Sequence, residues 1–220
     1  MAEPLWTDVE RYVNDLVVRP DAVLDAALEA ASAAGLPAIS VSAGEGKLLY
    51  LLARIRRANR ILEIGTLAAY STIWMARALP RGGKLVTLES DPTHAAVARA
   101  NLARAELGDV VDLRLGMAAD TLPVLAAEGQ KFDLIFIDAD KQTIPHYFDW
   151  AMRLSNPGAL IIVDNVIRDG KVIDETSEDA SVRGVRRFNE MVSAEKRVSA
   201  TTIQTVGSKG YDGFTLLVVK

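Results

Sequence analysis

The sequence contains no cysteine, and this absence removes several kinds of chemistry at once. Disulfides, thiolate metal sites and a cysteine nucleophile are all excluded. Histidine is also scarce, since only His94 and His146 occur in 220 residues. A histidine-based metal centre or catalytic triad therefore has few candidate residues, and metal ligands would have to be carboxylates and amides.

Long hydrophobic runs and the marks of an export signal are lacking as well. The longest stretch without a charged side chain, residues 30–44, is interrupted by glycine and proline, whereas a membrane span needs about 18 apolar residues. The N-terminus carries Glu3, Asp8 and Glu10 where a secretory signal needs a basic start and an apolar stretch. We expect a cytoplasmic protein without membrane association.

An excess of charge of one sign is also absent. The chain has 25 Lys and Arg against 29 Asp and Glu, which gives a formal net charge of −4. A basic surface for nucleic acid is therefore not expected, and a small-molecule partner is favoured. Half of the residues are hydrophobic (50%), which is enough for the core of one α/β domain.

Short apolar segments recur along the chain and are separated by segments of helical length. The strand-like segments are residues 60–64, 84–88, 111–115, 133–137 and 159–163. One intervening segment has apolar residues three and four apart before Gly108, where we expect the helix to end. This alternation predicts a parallel sheet with helices on both faces, which binds ligands at the carboxyl ends of its strands.

The two ends of the chain differ from this pattern. Residues 200–206 and 213–219 are strand-like and are joined by GSKGYD, which predicts an antiparallel hairpin. Before the first strand, the spacing of apolar residues predicts three helices at about 5–18, 21–34 and 43–57. We predict a single domain, 1–220, made of a helical extension (1–57) and a cofactor-binding core (58–220).

The first predicted strand runs into a turn with the sequence EIGTLAAYST. Gly65 lies where the backbone must turn and pass close to a ligand, which glycine permits. The second strand ends at Glu89, a position from which an acid accepts hydrogen bonds from ribose hydroxyls. Each residue also has a plainer explanation: Gly65 could be needed only for the geometry of the turn, and Glu89 could simply precede a helix cap. The pair together favours ribose binding, although Leu67 and Tyr70 replace the further glycines that NAD(P) would require.

Oxygen-bearing side chains follow the fourth and fifth predicted strands. Asp138 follows the fourth strand, and Asp164 and Asn165 follow the fifth. Because neighbouring strands lie about 5 Å apart, these side chains can meet at one point. Such a set could hold Mg²⁺ and leave positions for two adjacent substrate oxygens, while helix capping is the alternative for each acid.

Lys141 lies three residues beyond Asp138. A metal cation beside it would favour the neutral form of the lysine, which could then accept a proton. The alternative is a solvated lysine at the start of a helix, where the positive end of the helix dipole disfavours it. Asp140 could pair with this lysine or face a cationic cofactor.

Taken in order, these segments resemble one protein family. They are SAGEGK (42–47), EIGTLAAYS (63–71), LESDP (88–92), FIDADK (136–141), VDNV (163–166) and YDGFTLLV (211–218). Residues 39–220 are similar to the cation-dependent, S-adenosylmethionine-using O-methyltransferases, which include catechol and caffeoyl-CoA O-methyltransferases. The resemblance implies a Rossmann-like class I methyltransferase of the α/β class. In this fold a seven-stranded, mostly parallel sheet has an antiparallel C-terminal strand and helices on both faces.

The resemblance also implies roles for individual residues. The cofactor S-adenosyl-L-methionine would contact Val41, Glu63, Gly65, Thr66, Ser71, Glu89, Ala118, Asp138 and Asp140. The metal, Mg²⁺ or another divalent cation such as Mn²⁺ or Ca²⁺, would be bound by Asp138, Asp164 and Asn165. Lys141 would be the catalytic base, with Asp138 as its catalytic partner. Ala69 departs from the glycine that is usual in the family, so a slightly tighter cofactor loop is expected.

The implied reaction is methylation of a vicinal hydroxyl of a catechol-like or phenylpropanoid molecule. The protein would be a homodimer whose substrate is a small hydroxylated aromatic. A tRNA hydroxyuridine O-methyltransferase is the first alternative, although the acidic net charge disfavours it. An NAD-dependent oxidoreductase is the alternative from another class, but it leaves Asp138, Asp164 and Asn165 without a role.

The substrate wall is the part of the site for which the sequence is least informative. The resemblance implies that the N-terminal helices and residues 166–179 form this wall. Arg168 and Lys171 could meet an anionic substituent, and we expect both to be solvated instead. Trp6 and Tyr12 are expected to belong to a lid or a dimer interface.

Overall fold

The computed structural model describes residues 5–220. Glu3, one of the acids that disfavour a secretory signal, lies outside the described residues. The helices of the described chain are α1 (Leu5–Val17), α2 (Ala22–Ala33), α3 (Ala43–Arg56), α4 (Tyr70–Ala76), α5 (Pro92–Arg104), α6 (Ala118–Ala127), α7 (Ile144–Leu154) and α8 (Ala180–Ala194). The strands are β1 (Arg60–Ile64), β2 (Lys84–Glu89), β3 (Val111–Leu115), β4 (Phe132–Ile137), β5 (Ser155–Asp164), β6 (Val198–Gly207) and β7 (Gly210–Val219). Short 3₁₀ turns at Lys141–Thr143 and Lys171–Ile173 follow β4 and β5.

The seven strands form one sheet in the order β3-β2-β1-β4-β5-β7-β6. Strands β1 to β5 pair in parallel, and β7 runs antiparallel to both β5 and β6. The predicted fold class and the antiparallel C-terminal strand are confirmed. The strand order reverses between β1 and β4, and open α/β sheets bind ligands at such a switch point.

Helices cover both faces of the sheet because its central strands are apolar on both sides. Helices α2 to α5 pack on one face around residues such as Trp74 and Phe136. Helices α6 to α8 pack on the other face, where the rings of Phe148 and Phe188 meet edge to face at 5.3 Å. The strand ends are therefore held from both sides, which fixes the backbone that carries the predicted site.

The predicted strands are confirmed, and the last three, β5, β6 and β7, are at least three residues longer than expected. Strand β5 begins at Ser155, four residues early, because the segment before Ala159 extends beside β4 with a shift of register instead of forming the turn that Asn-Pro-Gly suggests. The C-terminal hairpin is paired as far as Gly207 and Gly210. Only two residues are left in the turn, so most of GSKGYD belongs to the strands.

The prediction that Gly108 ends a helix is wrong. Helix α5 ends at Arg104, and Glu106 adopts the left-handed conformation with φ of 57°. The backbone N–H of Leu107 then donates to the carbonyl of Leu102 at 3.0 Å, and the Leu107 side chain is buried. Burial of this leucine sets where the helix ends, which helical spacing alone does not reveal.

Helix α2 is tied to the core by polar contacts. The buried Asn101 donates from Nδ2 to the carbonyl oxygens of Ala27 at 3.3 Å and Ala68 at 3.0 Å. Arg77 donates to both carboxylate oxygens of Asp21, which caps α2, at 2.6 and 3.3 Å. Since Ala68 belongs to the turn after β1, Asn101 joins the N-terminal extension to the predicted cofactor turn.

Helix α1 differs from the other helices because none of its residues is buried. Leu5, Val9, Tyr12 and Leu16 recur three and four apart and are 51–76% exposed. This spacing places them along one side of the helix as an exposed apolar stripe. No helix among residues 5–220 is long and apolar enough to cross a membrane.

Replacing Asn101 by leucine tests the tie between α2 and the cofactor turn. We expect the Asn101→Leu variant to lose about 1–3 kcal/mol of unfolding free energy, because the buried carbonyls lose their donor. Urea unfolding measures the loss. The control, Asn189→Leu at an exposed position of α8, should change the free energy by less than about 0.5 kcal/mol. Equal small effects at both positions would show that the tie does not stabilise the fold.

Candidate active site

A cleft of about 660 Å³ opens at the carboxyl ends of the strands, at the switch point of the sheet. Ten of the twelve residues predicted for the site line it, namely Val41, Gly65, Thr66, Ser71, Glu89, Ala118, Asp138, Asp140, Lys141 and Asn165. The other two, Glu63 and Asp164, lie outside its lining. The structure therefore brings most of the predicted set together.

Gly65 is held against the backbone of Asp138. Its φ is +99°, and a Cβ atom on Gly65 would lie 2.0 Å from the carbonyl oxygen of Asp138. The backbone N–H of Asp138 also donates to the carbonyl of Ile64 at 2.9 Å. Glycine is thus required by contact between two parts of the protein, in addition to any approach of a ligand.

Glu63 lies behind the wall of the cleft and outside its lining, and its contact with the cofactor stays a prediction. Its side chain is fully buried and accepts hydrogen bonds from Ser71 Oγ at 2.6 Å, Thr87 Oγ1 at 2.7 Å and Thr72 Oγ1. Burial raises the pKa of Glu63 to about 7, although these three hydroxyls oppose the shift. Glu63 therefore orients Ser71, whose side chain it holds at the cleft.

The carboxylate of Glu89 holds the turns after β1 and β2 together. Oε1 accepts from the backbone N–H groups of Ser90 and Asp91, both at 2.9 Å. Oε2 accepts from Leu67 at 2.8 Å and from Thr66 at 3.3 Å. The side chain is thus a buried bridge as well as part of the cleft, and the bond from Thr66 is the longest of the four.

Ala69 occupies a position that suits glycine. It precedes α4 in the left-handed conformation, with φ of 65°, and it is fully buried. An L-residue in this conformation costs about 1–2 kcal/mol, which glycine avoids. The departure from the family pattern therefore adds backbone strain to the loop, while its methyl group is accommodated in the core.

Lys141 and Asp138 form an ion pair in the cleft. Lys141 Nζ lies 2.8 Å from Asp138 Oδ1, and the lysine side chain is only 10% exposed. A Cβ atom on Gly184 of α8 would lie 2.3 Å from the carbonyl oxygen of Lys141, so α8 supports this loop closely. Oδ2 of Asp138 accepts no hydrogen bond from the part of the chain that the structure describes, and it is free for another ligand.

Asp140 is paired with a residue that the sequence analysis did not assign to the site. The hydroxyl of Tyr147, on α7, donates to Asp140 Oδ1 at 2.6 Å, and both residues line the cleft. Burial and the charge of Asp140 both raise the pKa of Tyr147, so the phenol stays protonated and remains a donor. The carboxylate at the cleft is thus held in one orientation.

Asp164 and Asn165 stand between this cleft and a smaller cavity. Both line a neighbouring space of about 260 Å³, and Asn165 also lines the main cleft. Burial and the charge of Asp138 raise the pKa of Asp164 to about 8, and Lys141 lowers it less. Its Oδ1 accepts the backbone N–H of Asn165 at 2.8 Å. Across residues 5–220, no three His, Cys, Asp or Glu side chains are grouped so that they could hold a metal ion. The predicted metal site therefore needs the side-chain amide of Asn165 as its third ligand.

Arg168 is partly buried, where a solvated side chain was expected. Arg168 lines the cleft, and its side chain is 32% exposed. The reason is the carboxylate of Asp212 in β7, which accepts the backbone N–H of Ile167 at 2.9 Å and of Arg168 at 3.0 Å and so turns the loop inward. Lys171 is exposed, as expected. His94 and Met117 also line the cleft, and no sequence signal assigned a role to them.

Glu63 makes the unfolding free energy depend on pH. A folded-state pKa of about 7, above the ordinary 4.5, gives stability that is present below 4.5 and lost as pH rises through about 7. Glu63→Gln cannot ionise, so its unfolding free energy should rise relative to that of the wild type by about 2–3 kcal/mol on going from about pH 5 to about pH 8.5. Urea unfolding at both pH values measures this change. The control is Glu29→Gln at an exposed position, whose unfolding free energy should change with pH as that of the wild type does. The same pH dependence for Glu63→Gln and the wild type would contradict the assignment.

Comparison with known proteins identifies the family. The family model described as O-methyltransferase matches residues 17–219. Catechol O-methyltransferase from Niastella koreensis is 55% identical over 221 aligned positions, which cover 100% of both chains. The crystal structure of an O-methyltransferase from Bacillus cereus in complex with SAH has a TM-score of 0.96 and 55% identity, and it covers 98% of each chain. An O-methyltransferase from Streptomyces achromogenes, involved in tomaymycin synthesis and solved with SAM, has a TM-score of 0.96 and 50% identity over 100% of this chain and 99% of that chain. These matches contradict the alternative of an NAD-dependent oxidoreductase. The chain belongs to the O-methyltransferase family.

Proposed function

We propose that this enzyme uses S-adenosylmethionine and a divalent metal ion to methylate one hydroxyl of a vicinal diol on a catechol-like or phenylpropanoid molecule. The observation that carries the proposal is the meeting of ten predicted site residues in one cleft at the switch point of the sheet. The relatives support it, since one is named catechol O-methyltransferase and two were solved with SAH or SAM.

The cofactor is proposed to lie along the turns after β1 and β2. S-adenosylmethionine would supply a methyl group carried on a positively charged sulfur. Gly65 and Ser71 would contact its methionine part, with Val41 and Thr66 contributing backbone. Ala118 would pack near the adenine.

Two carboxylates are proposed to recognise the polar parts of the cofactor. Glu89 would accept hydrogen bonds from the ribose hydroxyls at Oε2. The bond from Thr66 to this oxygen is the longest of the four, at 3.3 Å, and is the easiest to displace. Asp140 would face the positive end of the cofactor with its second oxygen, because Tyr147 already occupies the first. The cleft would thus offer one carboxylate to the ribose hydroxyls, which donate hydrogen bonds, and another to the sulfonium cation.

The donor set at the ends of β4 and β5 fits a divalent cation. Asp138 and Asp164 each have one oxygen without a hydrogen bond from the described residues, and the Asn165 side chain adds an amide oxygen. The raised pKa of Asp164 reflects its burial and the nearby charge of Asp138, which Lys141 offsets only in part, and a divalent ion would remove that cost. Mg²⁺, Mn²⁺ and Ca²⁺ all accept such oxygen ligands. When bound, the cation would supply a Lewis acid that stabilises the anionic form of a substrate oxygen.

Lys141 is proposed to move the proton of the substrate hydroxyl. Its Nζ is held at 2.8 Å from Asp138, so the base stands directly beside the proposed metal ligands. The close packing of Gly184 against the Lys141 backbone keeps the loop in place. Much of the rate would come from this fixed placement of base, hydroxyl and methyl donor.

Removal of the metal tests the proposal directly. We expect excess EDTA to abolish methylation of catechol, and added Mg²⁺ to restore it. Asp164→Asn should lower the rate by at least about 100-fold, because a carboxylate ligand is lost. Binding of S-adenosylhomocysteine, measured by calorimetry, should be largely kept.

The matched control is Asp149→Asn, which changes an exposed aspartate of α7. This variant should keep the wild-type rate and the wild-type response to Mg²⁺. Full activity in excess EDTA would end the metal proposal. Methylation of tRNA in place of catechol would instead support the tRNA alternative, which the net charge of −4 disfavours.

We also propose that the enzyme is a homodimer and that α1 forms part of the interface. The apolar stripe of Leu5, Val9, Tyr12 and Leu16 is exposed, and it lies beside β6, the edge strand of the sheet. A second copy would cover both features. The division into one domain with an extension at residues 1–57 stays a prediction, as does the cytoplasmic location.

Charge on the stripe should separate the two copies. We expect the wild type to sediment with twice the chain mass of 23.8 kDa, and Tyr12→Glu with Leu16→Glu to sediment with the chain mass. Ile173→Glu, at a more exposed apolar position outside the stripe, should stay dimeric. A wild type that sediments with the mass of one chain, or a dimeric double variant, would contradict the proposal.

A further inference from the structure

The loop after β5 is held in a strained conformation that brings Arg168 to the cleft. Asn165, Arg168 and Asp169 all have left-handed backbones, with φ between 55° and 58°. The cost is greatest for Arg168, because Asn and Asp adopt this conformation more readily, and such strain persists only where surrounding contacts enforce it. The enforcing contact is Asp212, whose Oδ1 accepts backbone N–H groups of this loop. The contacts that hold the loop thus come from β7.

The guanidinium of Arg168 has little compensation from the protein. Its Nη1 lies 3.7 Å from Asp212 Oδ2, which is too long for a hydrogen bond. Nε is buried and has no partner among the described residues. By contrast, Arg77 donates to Asp21 at 2.6 and 3.3 Å. Since Nε is buried, the exposure of the Arg168 side chain belongs to its other atoms.

The other cation proposed to act in the cleft is already paired. Lys141 is bonded to Asp138 at 2.8 Å, and the carboxylate of Asp140 is bonded to Tyr147. Arg168 therefore brings a positive charge that Asp212 compensates only at 3.7 Å, and guanidinium donors that have no hydrogen-bond partner among the described residues, to a cleft that it shares with Asn165. A guanidinium whose hydrogen-bond donors are unused is suited to a planar anion.

We propose that Arg168 binds a carboxylate substituent of the aromatic substrate. The preferred substrates would be vicinal diols that also carry a carboxylate, and not neutral catechols. The terminal Nη groups of the guanidinium would donate to the carboxylate, with the diol at the Asp138, Asp164 and Asn165 end of the cleft. This inference rests on the proposed function and names the substrate class of the same site.

The test compares two diols that differ only in charge, 3,4-dihydroxybenzoate and its methyl ester. The wild type should methylate the acid with a higher kcat/KM than the ester. Arg168→Gln should lower kcat/KM for the acid by about 10- to 100-fold, mainly through KM, because a charge-assisted hydrogen bond is lost. The loss for the ester should be much smaller. Arg168→Lys should restore part of the preference, because it keeps the charge without the planar fork.

Two further measurements separate substrate binding from other effects. Calorimetry with S-adenosylhomocysteine present should show weaker binding of 3,4-dihydroxybenzoate to Arg168→Gln, without any turnover. The control, Lys171→Gln, changes a neighbouring exposed cation and should keep the wild-type preference. Urea unfolding of Arg168→Gln checks that loss of the Asp212 ion pair has not loosened the loop.

The outcomes distinguish this inference from the proposed function. If the wild type methylates neither diol, the proposed function fails. If it methylates the ester and Arg168→Gln affects both diols equally, the carboxylate inference alone is overturned. A loss of S-adenosylmethionine affinity equal to the loss for the acid would also overturn it, because Arg168 would then bind the cofactor's carboxylate.

Discussion

The contact between Gly65 and Asp138 is the constraint on which the rest of the site depends. A Cβ atom on Gly65 would lie 2.0 Å from the Asp138 carbonyl, so no other residue fits without moving the backbone. The turn after β1 and the loop after β4 are therefore fixed relative to each other. In the proposed mechanism one carries the methyl donor and the other carries the base and a metal ligand. Their separation would then be set by the backbone and not by flexible side chains.

Buried carboxylates extend this rigidity to the other loops. Glu63 accepts three hydroxyl groups and so orients Ser71, and Glu89 accepts four backbone N–H groups between two turns. Asp212 does the same for the loop after β5. Each of these acids is a supporting group behind or beside the cleft. Preorganisation of this kind reduces the reorganisation needed when nucleophile and methyl donor are aligned.

The parts of the molecule that follow from local pattern could be predicted from the sequence. Strand ends with charge, such as Asp138 and Asp164, stand out because a buried apolar run precedes each. The pairing of Asp140 with Tyr147 could not be foreseen, because it depends on how α7 packs. The partial burial of Arg168 could not be foreseen for a related reason: the backbone of its loop is held by Asp212, 44 residues away. Gly108 shows that burial of one leucine can move a helix end.

The central claim is that two neighbouring strands deliver Asp138, Asp164 and Asn165 to one divalent ion. Anomalous diffraction at the manganese edge tests it most directly, from crystals grown with Mn²⁺ and S-adenosylhomocysteine. The account predicts one strong anomalous peak within coordination distance of all three side chains. A peak elsewhere, or none at a manganese concentration that supports activity, would contradict it.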